Sequence, residues 1–292
     1  MKNRLSEQKI LVAPGVFDAL SAVVATDCGA EALYLSGASI AYTRIGQPDI
    51  GLVSVSEVCN TLENICDRVT TPVLVDADTG FGNALNTART VRAFERAGAS
   101  AIQLEDQTLP KRCGHLKGKT LVSTEEMTGK LQAAIDARQS DDTLIVARTD
   151  AIAVEGFDAA LERADAYYRA GADVLFIEAP ENKDDMQTLC RRFADKVPLL
   201  ANMVEGGNTP LLPASELQAI GYTMVIYPGG LVRWLLPQMR RYFTTVVEEG
   251  STASLAAEML DFKQLNVALG TDAMIALGER YEGKDPKANA EK

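Results

Sequence analysis

The run Lys111-Arg112-Cys113-Gly114-His115 sets a thiol beside two cations and the single histidine of the chain. A cysteine in such company can be held as thiolate or can deliver a proton to a developing carbanion. Taken alone, the string reads better as a solvated basic loop that happens to contain a cysteine. The acidic residues elsewhere change that balance. Asp76 and Asp78 stand at i and i+2 on a strand end and so share a face, and Glu105 closes the next strand. Each one alone reads as an ordinary rim carboxylate. Three together suit a hard divalent cation, and magnesium fits a few carboxylates completed by water and substrate, with manganese as an alternative. One histidine and no cysteine pair make zinc a poorer match.

Arg148 ends an otherwise apolar strand. Its position suits a bidentate grip on a substrate carboxylate, and almost equally an ion pair with Asp150 or Glu178. Glu178 and Asn202 follow later strands and can orient that arginine or a substrate oxygen. Thr79-Gly80-Phe81-Gly82-Asn83 offers backbone that a ligand could approach closely. The polar segment from Gln107 to Lys119, with Gly114 and Gly118, is long enough to close over a site and carry Cys113 and His115 with it. Lys111, Arg112 and His115 should lower the thiol pKa and hold a carboxylate.

The elements that must position these residues follow from periodicity. Eight short apolar runs, Ile10–Ala13, Ala32–Leu35, Val73–Val75, Ala101–Leu104, Leu144–Ala147, Val174–Ile177, Pro198–Ala201 and Met224–Tyr227, alternate with amphipathic stretches. Among the latter are Asn86–Ala97, Thr124–Ala137, Phe157–Ala170, Lys183–Phe193 and Leu231–Glu249. Nearly continuous apolar strands imply a parallel sheet covered on both faces, and eight βα units imply an α/β fold of the (β/α)8 TIM-barrel type. Gly98 and Gly171 sit where left-handed turns would end helices before strands four and six. The polar residues, by contrast, follow the strands, at the end where such barrels build active sites. The expected domains are a catalytic barrel over 1–250 and a helical extension over 251–292 that makes oligomer contacts.

Composition bounds the partners. The 292 residues carry 29 basic and 40 acidic side chains for a net charge of -11, which disfavours nucleic acid. No apolar stretch approaches the roughly 20 residues of a membrane span, and no leader follows Met1, so the expected location is the cytoplasm. Five scattered cysteines, Cys28, Cys59, Cys66, Cys113 and Cys190, suggest neither disulfides nor a zinc site.

The motifs Tyr34-Leu35-Ser36-Gly37, Val75-Asp76-Ala77-Asp78-Thr79-Gly80-Phe81-Gly82, Glu105-Asp106-Gln107, Lys111–His115, Val146–Ala151 and Ala201-Asn202-Met203 resemble the isocitrate lyase and phosphoenolpyruvate mutase superfamily across nearly the whole chain. The cysteine signature is similar to its carbon–carbon lyase branch. That resemblance implies magnesium bound directly by Asp78, with Asp76 and Glu105 acting largely through water. It implies that Ser36, Gly37, Ala38 and Arg148 hold a 2-oxo acid carboxylate, that Gly114 and His115 grip the other fragment, and that Asp49 is an active-site acid near the metal. Glu178, Asn202 and Thr209 would line the far side, Cys113 would donate the quenching proton, and Tyr34, a metal-bound water or a carboxylate would accept the hydroxyl proton. It further implies helices swapped between subunits of a homotetramer, a dimer of dimers. The expected reaction is cleavage of a 2-methylisocitrate or 2,3-dimethylmalate type of 2-hydroxy acid to pyruvate or a similar 2-oxo acid. The alternatives are an oxaloacetate hydrolase, a phosphonopyruvate-type mutase and, last, a dicarboxylate-binding protein without turnover.

Overall fold

A computed structural model describes residues 1–7, 9–114 and 116–282. Eight parallel strands close into one barrel in chain order: β1 Leu11–Val16, β2 Leu33–Leu35, β3 Val73–Asp76, β4 Ala101–Glu105, β5 Leu144–Thr149, β6 Val174–Ile177, β7 Leu199–Asn202 and β8 Met224–Tyr227. The helices are α1 Lys2–Leu5, α2 Ala19–Asp27, α3 Gly37–Arg44, α4 Val55–Arg68, α5 Ala84–Arg96, α6 Thr124–Ala137, α7 Ile152–Glu155, α8 Phe157–Arg169, α9 Lys183–Phe193, α10 Ala214–Ile220, α11 Gly230–Glu249, α12 Phe262–Leu269 and α13 Thr271–Tyr281. None is long and apolar enough to cross a membrane.

Side-chain alternation splits the barrel core into two layers. Leu11, Ala13, Tyr34, Leu74, Ala101, Leu144, Val146, Phe176, Leu200, Met224 and Ile226 fill the interior. Their strand neighbours, among them Leu33, Leu35, Val75, Ile102, Ile145, Leu175 and Val225, face outward onto Leu62, Phe94, Leu131, Tyr167 and Phe193 of the helices. Both faces of β4 and β5 are buried along their length, which is why these strands read as nearly continuous apolar runs, interrupted in β4 by Gln103.

Helix starts are fixed by side-chain caps: Asp18, Ser54, Asn83, Ser123 and Asn182 each accept backbone N–H groups of the first turn. Gly98 and Gly171 have φ of 102° and 99°, as the expected turns require. Strand β1 continues through Pro14 and Gly15. A side chain at Gly15 would meet the Tyr227 carbonyl oxygen at 2.6 Å, so glycine permits the close approach of β8.

Two compact units are present, Met1–Arg233 and Trp234–Lys292. The first is the barrel. In the second, Arg241 pairs with Glu258 at 2.7 Å and 2.5 Å, and Gly270, at φ 73°, joins α12 to α13.

Candidate active site

Inward parity carries the polar residues to the mouth. Continuing Leu74, Gln103, Val146, Phe176 and Leu200 by two positions brings Asp76, Glu105, Arg148, Glu178 and Asn202 to the C-terminal strand ends. In the ladder Glu105 is the partner of Arg148. A hydrogen-bonded chain runs across the interior: the Tyr34 hydroxyl donates to Gln103 Oε1 at 3.1 Å, Gln103 Nε2 donates to Asp76 Oδ1 at 3.2 Å, and the Asp78 N–H donates to the same oxygen at 3.1 Å.

Asp78 arrives by a different route from the one its spacing suggests. Strand β3 ends at Asp76, and Asp78 sits in a left-handed conformation, φ 45°. Aspartate tolerates that region better than most residues. A turn, not strand alternation, therefore brings it to the site.

Arg148 is held by three carboxylates through Nε and Nη2. Its Nε and Nη2 pair with Asp150 at 2.9 and 3.1 Å, Nη2 lies 3.1 Å from Glu178 Oε2 and Nε 3.3 Å from Glu105 Oε2. The guanidinium also stacks 5.0 Å from the Phe176 ring centre. Burial works against this cation, but Asp150, Glu178 and Glu105 outweigh it and raise its pKa further.

The loop bearing Cys113 is closed over the barrel. At its neck, Gln107 bridges to Leu121 and the Thr108 N–H donates to the Thr120 carbonyl at 2.8 Å. The Gln107 amide accepts from Arg112 N–H at 2.9 Å and donates to its carbonyl at 2.8 Å. Lys111 Nζ reaches Asp49 Oδ1 at 2.5 Å and Asp78 Oδ1 at 2.7 Å, and the Cys113 N–H donates to the Asp49 carbonyl at 3.1 Å. Gly114 packs against the Arg148 and Glu178 side chains, leaving no room for a Cβ. Lys119 Nζ joins the Gly114 carbonyl to Asp150. His115 lies outside the described residues.

One cavity is lined by Tyr34, Ser36, Ala38, Tyr42, Asp49, Asp76, Glu105, Lys111, Arg112, Cys113, Gly114, Arg148, Glu178 and Asn202, with Val204, Pro228, Gly229 and Arg233 completing the wall. Most of the sequence-derived candidates thus share it. Gly37 borders it, because a Cβ there would stand 3.2 Å from Asp76 Oδ2. Thr209 does not: with Asn202 it lines a separate void behind β6 and β7. Tyr42, Arg233 and the buried Lys119 were not singled out from the sequence. The larger groove between α4 and α5, over Cys59, Phe81 and Arg96, carries none of this chemistry. Gly80 and Gly82 face Thr87 and Asn86 of α5, so helix packing accounts for both glycines.

The electrostatics favour proton uptake by two of the acids, Asp78 and Glu105. Burial raises the Asp78 carboxyl to about 6 against the pull of Lys111, with Asp76 and Asp49 adding to the rise. Burial likewise lifts Glu105 well above the usual carboxylate range, opposed by Arg148. Tyr34 is pushed well up by burial and by Asp76, so its phenol stays protonated near neutrality and is placed to donate.

Among the described residues no three His, Cys, Asp or Glu side chains form a ready cage for a metal. The site nevertheless fits a cation bound through one carboxylate. Asp78 Oδ1, Thr79 Oγ1 and Glu105 Oε1 are buried without a hydrogen bond, Lys111 meeting Asp78 Oδ1 at a poor angle. Beside these acids, after β2, Ser36 caps α3, accepting from the Ser39 N–H at 3.1 Å. The first-turn N–H groups of Gly37 and Ala38 have no partner within the helix, as at any helix start, and are donors that a carboxylate could meet.

Against known proteins, the family described as phosphoenolpyruvate phosphomutase matches residues 1–247. The chain belongs to this family. Within the wider phosphoenolpyruvate mutase and isocitrate lyase superfamily, a protein named 2,3-dimethylmalate lyase from Eubacterium barkeri is 43% identical over 283 residues, covering 96% of both chains. A 2-methylisocitrate lyase from Aeropyrum pernix is 47% identical over 251 residues, covering 86% of this chain and 80% of that one. A crystal structure of 2,3-dimethylmalate lyase superposes with a TM-score of 0.91 at 35% identity, covering 96% and 93% of the two chains. Oxaloacetate acetylhydrolase with 3,3-difluorooxalacetate gives 0.90 at 31%, covering 98% and 96%. Phosphonopyruvate hydrolase with oxalate and Mg++ gives 0.85 at 30%, covering 96% and 97%.

Proposed function

We propose that this chain is a magnesium-dependent carbon–carbon lyase. It cleaves a 2-hydroxy di- or tricarboxylate of the 2,3-dimethylmalate or 2-methylisocitrate type into a 2-oxo acid, such as pyruvate, and a second carboxylic acid. The observation that carries this reading is Cys113, held by a closed loop in the same cavity as Asp76, Glu105 and Arg148.

Asp78 would hold the cation directly, with Asp76 and Glu105 reaching it through water. When bound, the ion supplies Lewis acidity toward the substrate hydroxyl and its neighbouring carboxylate. The N-terminus of α3 at Ser36, Gly37 and Ala38 grips the carboxylate that becomes part of the 2-oxo acid, with Arg148 at its side. A carboxylate of the mouth, in its ionised form, accepts the hydroxyl proton. The carbon–carbon bond then breaks, its electron pair passing to the carbon beside the second carboxylate. Cys113 delivers its proton to that carbon, while the loop excludes water that would quench it unselectively. Gly114, together with His115, would hold the departing carboxylate.

Assembly into a homotetramer with exchanged C-terminal helices is part of the same proposal. The barrel leaves Val12 of β1 39% exposed. The second unit leaves Trp234, Phe243 and Val247 exposed at 68%, 61% and 82%. Uncovered apolar surface on each unit supports association.

The test is a magnesium-supplemented screen of 2,3-dimethylmalate, 2-methylisocitrate, isocitrate, citramalate and oxaloacetate, following release of 2-oxo acid and oxalate. Oxalate as the main product would replace the lyase reading by oxaloacetate hydrolysis, which the similarity to the acetylhydrolase structure favours as the second choice.

A further inference from the structure

We propose that Lys119 is a latch that couples closure of the Cys113 loop to the state of Arg148, a positioning role resting on the lyase reading above. Its side chain is only 2% exposed. An ammonium taken out of water persists there only when its protons are met by well-placed acceptors. Two are supplied from different parts of the fold. One is the carbonyl of Gly114, the residue after Cys113. The other is Asp150 Oδ1, 2.8 Å away beyond the end of β5.

Asp150 is itself held on several sides. It is fully buried, and its N–H donates to Asp106 Oδ1 at 2.9 Å. Asp106 is held in turn by the Thr149 and Tyr167 hydroxyls, each at 2.7 Å, and by Arg163 at 3.3 Å. A loop residue has therefore been tied to a rigid strand end. Lysine suits this position because a compact ammonium with three donors can satisfy a carbonyl and a carboxylate that diverge.

The coupling arises because Asp150 is shared. The same carboxylate accepts from Arg148 Nε and Nη2 at 2.9 and 3.1 Å. With Lys119 in place, its charge is divided between two cations. When the loop opens and Lys119 leaves, the whole charge faces Arg148, which is then held more tightly by the protein and less available to a substrate carboxylate. Closing the loop thus readies Arg148, and by reciprocity a carboxylate on Arg148 favours the closed loop.

The test compares Lys119→Met and Lys119→Gln with the wild-type magnesium-loaded enzyme. Alkylation of Cys113 by iodoacetamide is followed by peptide mass mapping, hydrogen exchange is followed over residues 111–118, and kcat and KM are measured on the best substrate of the screen. The Met variant is expected to be alkylated about 10-fold faster, to lose loop protection, and to lose about 10- to 100-fold in kcat/KM through both constants, as fits the loss of a charge-assisted hydrogen bond. The Gln variant, which keeps a donor, should fall between. Unchanged alkylation and exchange in a folded Met variant would overturn the latch. So would failure of both variants to fold, which would make Lys119 a requirement of the barrel and not a device of the loop. Alkylation and exchange need no substrate, so a wild-type enzyme without turnover sinks the lyase reading while leaving this test intact.

Discussion

Lys111 Nζ lies 2.7 Å from Asp78 Oδ1, so the loop presses a cation onto the carboxylate expected to receive the metal. Burial still wins, and the Asp78 carboxyl rises from 3.8 to about 6. Below that pH the group carries a proton and cannot ligate an ion. Magnesium affinity, measured by titration calorimetry, should fall about tenfold per unit as pH drops below 6. The sign for stability without metal is opposite: the folded state binds the extra proton, so this group's contribution is present below 3.8 and is lost as pH rises to about 6. Affinity flat between pH 5 and 7 would remove Asp78 as the direct ligand.

Cys113→Ser should leave magnesium binding and the melting temperature at wild-type values while lowering kcat roughly 10²- to 10⁴-fold, the usual cost of losing a positioned acid. Steady-state rates on the best substrate decide this. A variant keeping most of its turnover would move the proton donor elsewhere.

Gly114→Ala tests the seating of the loop. A Cβ there would stand 2.7 Å from Glu178 Oε2 and closer still to Arg148 Nη2. The backbone must lift away from the mouth, so kcat/KM should fall at least about tenfold. Because the change lies in a loop at the surface of the barrel, the melting temperature should move by about 2 °C or less. A large loss of stability with normal activity would contradict the packing described.

Tyr167→Phe probes the network behind the mouth. The Tyr167 hydroxyl donates to Asp106 Oδ2 at 2.7 Å and accepts from Arg163 at 3.3 Å. Its removal should cost about 1–2 kcal/mol in urea unfolding. Asp106 keeps Thr149, Arg163 and the Asp150 N–H, so kcat should stay within about twofold.

Much of this molecule was legible because a parallel barrel writes its core as unbroken apolar runs. Val174–Ile177 and Met224–Tyr227 were read to the residue. Strand β1 runs past the apolar stretch Ile10–Ala13 to Val16, through Pro14 and Gly15, where glycine allows β8 to approach. The sharp turn at Asp78 has no periodic signature, so strand parity does not account for its place beside Lys111 and the Asp76 carboxylate. Thr209 is expected on the far side of the site with Glu178 and Asn202, but chain order does not reveal the second void that it lines with Asn202 behind β6 and β7. Lys119 pairs with Asp150 across 31 residues and Tyr167 with Asp106 across 61, contacts that no local pattern encodes.

The neck at Gln107–Leu121 and Thr108–Thr120 has a consequence for how such a site diversifies. With both stems pinned to each other, the segment between them is a cassette: outside Lys111, Cys113, Gly114 and Lys119, its side chains can be exchanged without shifting the strands that carry Asp76, Glu105 and Arg148. New substrates can then be recruited by editing one loop, while the barrel retains the bond-breaking machinery it already has.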